Sequence, residues 1–302
     1  MRKGILAGIL ATSLASYSGC GELARINVGK DVSERSHNLT LCQDRKYDLD
    51  TRCVEYISTL RQMEKSVYEV QKWVYFEPDA SAPQDFKKYF KDKVKTFFKS
   101  DMVMVGGGSG IMLDGNYMLS AAHVFGATEP MQLTFQGKTH TIRPVFTTYY
   151  VNIEDKLYEA KVEATGTLDA ALLKVRNVPS YKRFPNVKLG KDSEMFPGQV
   201  IYAVGNNSLA GVQMKKGEVT RAKMIERFGR PIISQPGKHF FFDARAGPGD
   251  SGGAIYSIRD GEPELTGLIV MVDVRTGHIG IGLGIESIIK DLYKPLKARK
   301  LL

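Results

Sequence analysis

Cysteine is scarce in this chain of 302 residues, with three in all, and tryptophan occurs once. No Cys-x-x-Cys pair is present, which excludes a zinc ribbon or a thioredoxin-type redox site. Beyond the first twenty positions no apolar run approaches the length of an internal membrane-spanning helix. A P-loop, a His-Glu-x-x-His pair and a calcium-binding loop are all missing, as are internal repeats and low-complexity tracts. The remainder has ordinary globular texture, 43% hydrophobic and 25% charged, so wholesale disorder is excluded. That length suffices for one large domain with extensions or for two small ones. Lys+Arg 42 against Asp+Glu 33 leaves a net charge of +9, a moderate excess that serves solubility. No basic-aromatic constellation accompanies it, so nucleic acid is not an expected partner.

The first twenty residues read as an address. Arg2 and Lys3 form a positive head, Gly4 to Leu14 an apolar run, and Ser16-Tyr17-Ser18-Gly19-Cys20 a small-residue exit. This is the pattern of a secretory signal peptide. The exit resembles a bacterial lipoprotein box, in which Cys20 becomes the lipidated first residue. Tyr17 stands where that pattern prefers Leu, and cleavage near Ser18 is the alternative. Export places the chain in an oxidising compartment, either the periplasm or the outer membrane as a lipoprotein, or else in the medium. With Cys20 lipidated, Cys42 and Cys53 form an even pair, and a bridge between them would contribute about 3 kcal/mol. A Cys/His metal site is the weaker rival, since only His37 lies near.

Residues 21–50 are polar and unpatterned, which reads as a tether. Val54, Ile57, Leu60 and Met63 recur at helical spacing, and the aromatic and β-branched stretch 67–76 predicts a strand. A basic amphipathic helix follows, with Phe86, Tyr89, Phe90, Val94, Phe97 and Phe98 on one face. Its lysines would suit a membrane surface, but packing of the aromatic face on the neighbouring domain is the preferred expectation. After Met102 a dozen short strand-like runs follow one another over about 180 residues, which argues for a sandwich or paired barrels. One C-terminal helix closes the chain, with Ile285, Ile288, Ile289, Leu292, Tyr293 and Leu296 on its apolar face.

Three segments carry chemistry. They are Leu119-Ser120-Ala121-Ala122-His123, Thr167-Leu168-Asp169-Ala170-Ala171, and Gly247-Pro248-Gly249-Asp250-Ser251-Gly252-Gly253. Singly, each has a bland reading as a strand cap, a turn residue or a glycine bulge. Together they supply the parts of acyl transfer: a serine nucleophile, a histidine base and an acid to orient it. Gly249 lets the chain turn so that its amide and that of Ser251 converge on one spot, where they would hold an oxyanion. Gly247, Gly249 and Gly252 also fit the dinucleotide fingerprint, but the following residues read as a strand where that fingerprint needs a helix. His140 and His239 lie in strand-like runs and read as structural histidines.

The segments resemble the chymotrypsin/trypsin-like serine proteases, above all their exported bacterial members, over about residues 66 to 290. The resemblance implies an all-β fold of two six-stranded antiparallel β-barrels, here with an N-terminal helical extension and a C-terminal helix. Residues 1–19 would be the signal peptide, 20–65 an extension holding the Cys42–Cys53 loop, and 66–302 the protease domain. His123 would be the general base, Asp169 its orienting acid, Ser251 the nucleophile, and the Gly249 and Ser251 amides the oxyanion hole. The substrate would be a protein or peptide, cleaved without cofactor or metal, with the membrane a further partner through lipid on Cys20. The strand at Val67 and the helix near Phe86 resemble an insertion of some periplasmic members.

The resemblance also has departures. Met104-Val105-Gly106-Gly107 mimics the activation motif of trypsin-like zymogens, yet lies only 123 − 104 = 19 residues before His123. Asp250 therefore needs another partner or another route of activation. For the primary pocket the resemblance points to Arg245, Val270, Val272 and His278, whose implied preferences conflict. A catalytically latent binding or adaptor protein on the same scaffold is the alternative function.

Overall fold

The computed structural model describes residues 51–180, 184–207, 211–220, 224–227, 230–233, 239–259, 262–272 and 279–298. Cys20, Cys42 and the signal region lie outside these residues, and Cys53 is described by backbone alone. The chain opens with helix α1 (Thr51–Ser66) and strand β1 (Val67–Pro78), then helix α2 (Gln84–Phe98). Strands β2 (Val103–Met112), β3 (Tyr117–Ser120), β4 (Met131–Phe135), β5 (Lys138–Ile153), β6 (Lys156–Thr165) and β7 (Ala171–Val175) complete the first sheet. Its order is β1-β2-β3-β7-β6-β5-β4, and β1 also pairs with β5. That second pairing closes six strands into an antiparallel barrel and leaves β4 appended to β5.

The second sheet contains β8 (Lys188–Leu189), β9 (Val200–Asn207), β10 (Gly211–Glu218), β13 (His239–Phe242), β14 (Ala254–Arg259), β15 (Glu262–Val272) and β16 (Gly280–Gly284). Six run in the order β10-β9-β14-β15-β16-β13, and β8 lies parallel to β15. Among the described residues, a bridge between Val219 and Phe242 brings the two ends of this sheet together. A separate hairpin, β11 (Met224–Arg227) and β12 (Arg230–Ile233), stands apart. The fold is the expected all-β double barrel.

Burial follows from the side-chain patterns. In β1 the inward positions are Val70, Lys72, Val74 and Phe76, alternating with partly exposed Gln71, Trp73 and Tyr75. Strand β7 is apolar at every position but Lys174 because it is covered on both faces. One core runs through both barrels, from Leu172 and Leu173 in the first to Val204, Ala254 and Leu268 in the second. Met63 of α1 is buried in that core, and the Ser66 hydroxyl lies 2.6 Å from that of Tyr256 in the second barrel.

Helix α2 resolves the choice left open by its amphipathic pattern. Phe86, Phe90 and Val94 are buried against Val74, Phe76, Leu133 and Ile142, where β1, β4 and β5 run on beyond the closed barrel. His140 stacks on Phe86 at 4.3 Å between ring centroids, as a structural histidine. Phe97 departs from the expected face and is 58% exposed.

Three differences from the sequence pattern have physical causes. The sequence reads as a strand only from Ile111, but strand β2 begins at Val103, because its glycine-rich half is held by the ladder to β1 despite poor intrinsic strand propensity. The run from Val212 to Ile225 reads in sequence as one strand, but β10 ends at Glu218, where the chain turns into the closing bridge at Val219, and β11 begins at Met224. The closing helix is two, α3 (Ile285–Asp291) and α4 (Tyr293–Ala298). Pro295 has no N–H to give the Asp291 carbonyl and its ring crowds that position, so the helix breaks one turn earlier, at Leu292.

Candidate active site

His123 lies in a 3₁₀ turn, Ala122–Phe125, directly after β3. Two side chains from inside the first barrel fasten this turn. The Tyr149 hydroxyl donates to the Phe125 carbonyl at 2.9 Å, and the Lys72 ammonium donates to the Gly126 carbonyl. Lys72 and Tyr149 are partners in the β1–β5 ladder. Lys72 is 9% exposed, and burial pulls its pKa below the usual lysine value.

Asp169 lies in the tight turn between β6 and β7, which is closed by Gly166 N–H to the Ala170 carbonyl at 2.9 Å. Both of its oxygens engage His123: Oδ1 accepts the backbone amide at 2.8 Å, and Oδ2 lies 2.6 Å from the ring Nδ1. With the proton on Nδ1, this pairing fixes the ring orientation and leaves Nε2 as an acceptor facing outward.

Ser251 follows β13 on a loop whose reversals occur at Gly249 (φ 92°) and Gly252 (φ 84°). Those angles lie in the region that a Cβ disfavours, so the two glycines set the shape of the loop. Among the described residues, neither the Gly249 nor the Ser251 amide donates to the backbone, whereas Gly252 N–H bonds the Ile269 carbonyl at 2.7 Å. No hydrogen bond joins the His123 and Ser251 side chains among the described residues. Such contacts are often long before substrate binds and tighten in the Michaelis complex.

Two residues absent from the sequence reading hold the serine loop. Ser109 of β2 is fully buried and makes four bonds. Its amide donates to the Ser251 carbonyl (2.7 Å) and its hydroxyl to the Gly249 carbonyl (2.7 Å). The hydroxyl also accepts the Asn206 amide (2.7 Å), and the Ser109 carbonyl accepts the Ser120 hydroxyl (2.6 Å). Lys215 of β10 supplies the partner that Asp250 lacked, with Nζ 2.5 Å from Oδ2. The same oxygen accepts the Gly247 amide at 2.6 Å, and the Asp250 side chain is 1% exposed. The zymogen-like Met104-Val105-Gly106-Gly107 is strand interior, paired with β1. The signal for Lys72 was present in the sequence, as a lysine at an inward position of an alternating strand; Ser109 and Lys215 stand out from nothing around them.

The pocket residues are dispersed. Arg245 is exposed between buried Ala244 and Ala246, and Val270 is 4% exposed within the shared core. Val272 ends β15 opposite Gly280, and His278 lies outside the described residues. A groove of about 310 Å³ between residues 184–189 and the C-terminal helices is lined by none of His123, Asp169 and Ser251. Among the described residues no cluster of His, Cys, Asp and Glu could hold a metal ion, and no helix is long and apolar enough to cross a membrane.

A family model described as the trypsin-like peptidase domain matches residues 108–268, more than half of the chain. No curated protein gives a significant match. Among solved structures, the Rv3671c protease of Mycobacterium tuberculosis in its active form matches with a TM-score of 0.52 and 16% identity. That match covers 81% of this chain and 86% of the other. The inactive form of the same protein, a serine-to-alanine mutant, gives 0.51 at 16% identity over 81% and 93%. An HtrA-type protease, AlgW, in a serine-to-alanine form with a tripeptide, gives 0.52 at 16% identity, covering 82% of this chain and 64% of that one. At such identities the likeness is one of fold.

Proposed function

This chain belongs to the trypsin-like peptidase family, and from that premise we propose that it is a serine endopeptidase working through His123, Asp169 and Ser251. The observation that carries the proposal is the two-point grip of Asp169 on His123, which leaves Nε2 free to act as a base, in a chain whose Ser251 sits on a positive-φ glycine turn. Ser251 Oγ gives its proton to Nε2 and attacks the peptide carbonyl, whose oxygen takes the negative charge. The Gly249 and Ser251 amides receive that oxyanion, a contribution of about 3 kcal/mol to the barrier. His123 then passes the proton to the leaving amine as the C–N bond breaks. Water repeats the sequence on the acyl-enzyme and regenerates Ser251.

The Lys215–Asp250 pair supports a site that needs no freed N-terminal amine, because the residue before the nucleophile already has an internal cation. The rival reading is a latent binder on this scaffold, favoured by the open contact between His123 and Ser251. A fluorophosphonate probe separates the two. Wild type should label at Ser251, while Ser251→Ala and His123→Ala should not. A folded wild type that stays unlabelled would overturn the hydrolytic reading and leave the binder.

A further inference from the structure

Asp291 is the last residue of α3, far from the three segments in sequence, yet it closes on the turn that carries Asp169. Its Oδ1 accepts the Thr167 amide at 3.0 Å and the Thr167 hydroxyl at 2.7 Å, and its Oδ2 accepts the Leu168 amide at 2.8 Å. All three donors lie within two residues of Asp169. The same turn is closed on its other side by Gly166 N–H to Ala170 O and by Ala170 N–H to Leu168 O. Gly166 is glycine at the point of contact, since a Cβ there would run into the Asp291 carboxylate. Behind Asp291, the helix is fastened by Ile288 and Leu292, both at most 1% exposed in the shared core. Pro295 breaks the helix just after it.

Desolvation pushes the Asp291 carboxyl up, but the Leu168 and Thr167 donors outweigh it and hold its pKa below the usual carboxylate value. At neutral pH the clamp is therefore an ionised acceptor facing three donors. Asp169 grips His123 through two oxygens at once, so a shift of its turn misaligns both contacts.

We infer that Asp291 is a positioning residue for catalysis, through which helix α3 sets Asp169 and, through it, the His123 ring. The inference rests on the hydrolytic reading for its kinetic consequence but not for its geometric one. Both are measurable in the full chain. Asp291→Asn keeps the size of the side chain but turns an NH₂ toward one of the donors. Its kcat and fluorophosphonate labelling rate should fall about 10²-fold, the scale of an ångström-level misplacement, with KM unchanged. The far-downfield proton resonance of His123 Nδ1–H bonded to Asp169 should weaken with them. Thr167→Val, which removes one donor of three, should move each readout in the same direction by less. Leu296→Ala loosens the packing of the neighbouring α4 without touching the clamp, so it should lower the melting temperature and leave kcat and the resonance in place.

Wild-type kcat and an intact resonance in folded Asp291→Asn or, should that variant not fold, in Thr167→Val would overturn the inference. So would a loss of kcat that merely tracks melting temperature across all three variants. Failure of wild type to label at Ser251 would defeat the hydrolytic reading alone, and the resonance would still decide the clamp.

Discussion

The two barrels hold their shares of the site by different means. The first closes through continuous ladders, with β1 paired to β2 on one side and over ten register positions to β5 on the other. His123 and Asp169 both belong to it and are already bonded to each other. The second closes, among the described residues, at a bridge from Val219 to Phe242, and its serine loop hangs from point contacts with Ser109 and Lys215. His123 and Asp169 are thus fixed by the architecture of one barrel, while Ser251 is placed by a few side chains. Damage to those side chains should disable Ser251 and leave the His123–Asp169 pair as it is.

Lys215→Met should break this arrangement most severely. The Asp250 carboxylate would stay buried with only the Gly247 amide against it, and an unpaired buried charge costs about 3–5 kcal/mol. Thermal denaturation should show that loss, and labelling at Ser251 should vanish while the downfield His123 resonance persists. Retention of wild-type labelling would mean that the pair does not shape the loop. Ser109→Ala comes next. It leaves the Gly249 carbonyl and the Asn206 amide without their hydroxyl partner, at about 1–3 kcal/mol for each group that finds no other. Labelling should slow without disappearing, because the Ser109 backbone bond to Ser251 survives. Equal labelling rates in variant and wild type would remove Ser109 from the account.

The same contrast explains what the sequence made legible. His123, Asp169 and Ser251 announce themselves because each sits in a short motif whose residue types the chemistry demands. The barrels could be counted from strand-like runs, since alternation and turn residues are local signals. Lys215, Ser109 and Asp291 act across 35, 140 and about 124 residues respectively, and no local pattern marks a lysine, a serine or an aspartate as a long-range partner. The split of the last helix was readable at Pro295, but the apolar face that runs through Leu292 to Leu296 masked it. The pocket stayed illegible because Arg245 lies between strands while Val270 and Val272 lie within β15, where the side-chain direction is set by the fold, and His278 is outside the described residues.

Lys72→Met should have the smallest effect, and it sharpens the comparison from the side of the first barrel. Methionine matches the length of the lysine stem and removes a buried ammonium, while the Gly126 carbonyl loses one donor and the Tyr149 bond to the same turn remains. Those two changes oppose each other, so the net stability change at neutral pH should be within about 1 kcal/mol. Labelling should slow only slightly, because the ladders and Asp169 still hold His123. The difference between variant and wild type should depend on pH with a definite sign. Burial depresses the Lys72 pKa, so between that lowered value and the unfolded value near 10.4 the unfolded chain binds more protons than the folded one. Stability contributed by this group is therefore present above the unfolded value and lost as pH falls through the folded value. Wild type should gain on Lys72→Met as pH rises from 7 toward 10, measured as the difference in denaturant midpoints. A difference independent of pH would show that the Lys72 ammonium is as well solvated in the barrel as in the unfolded chain.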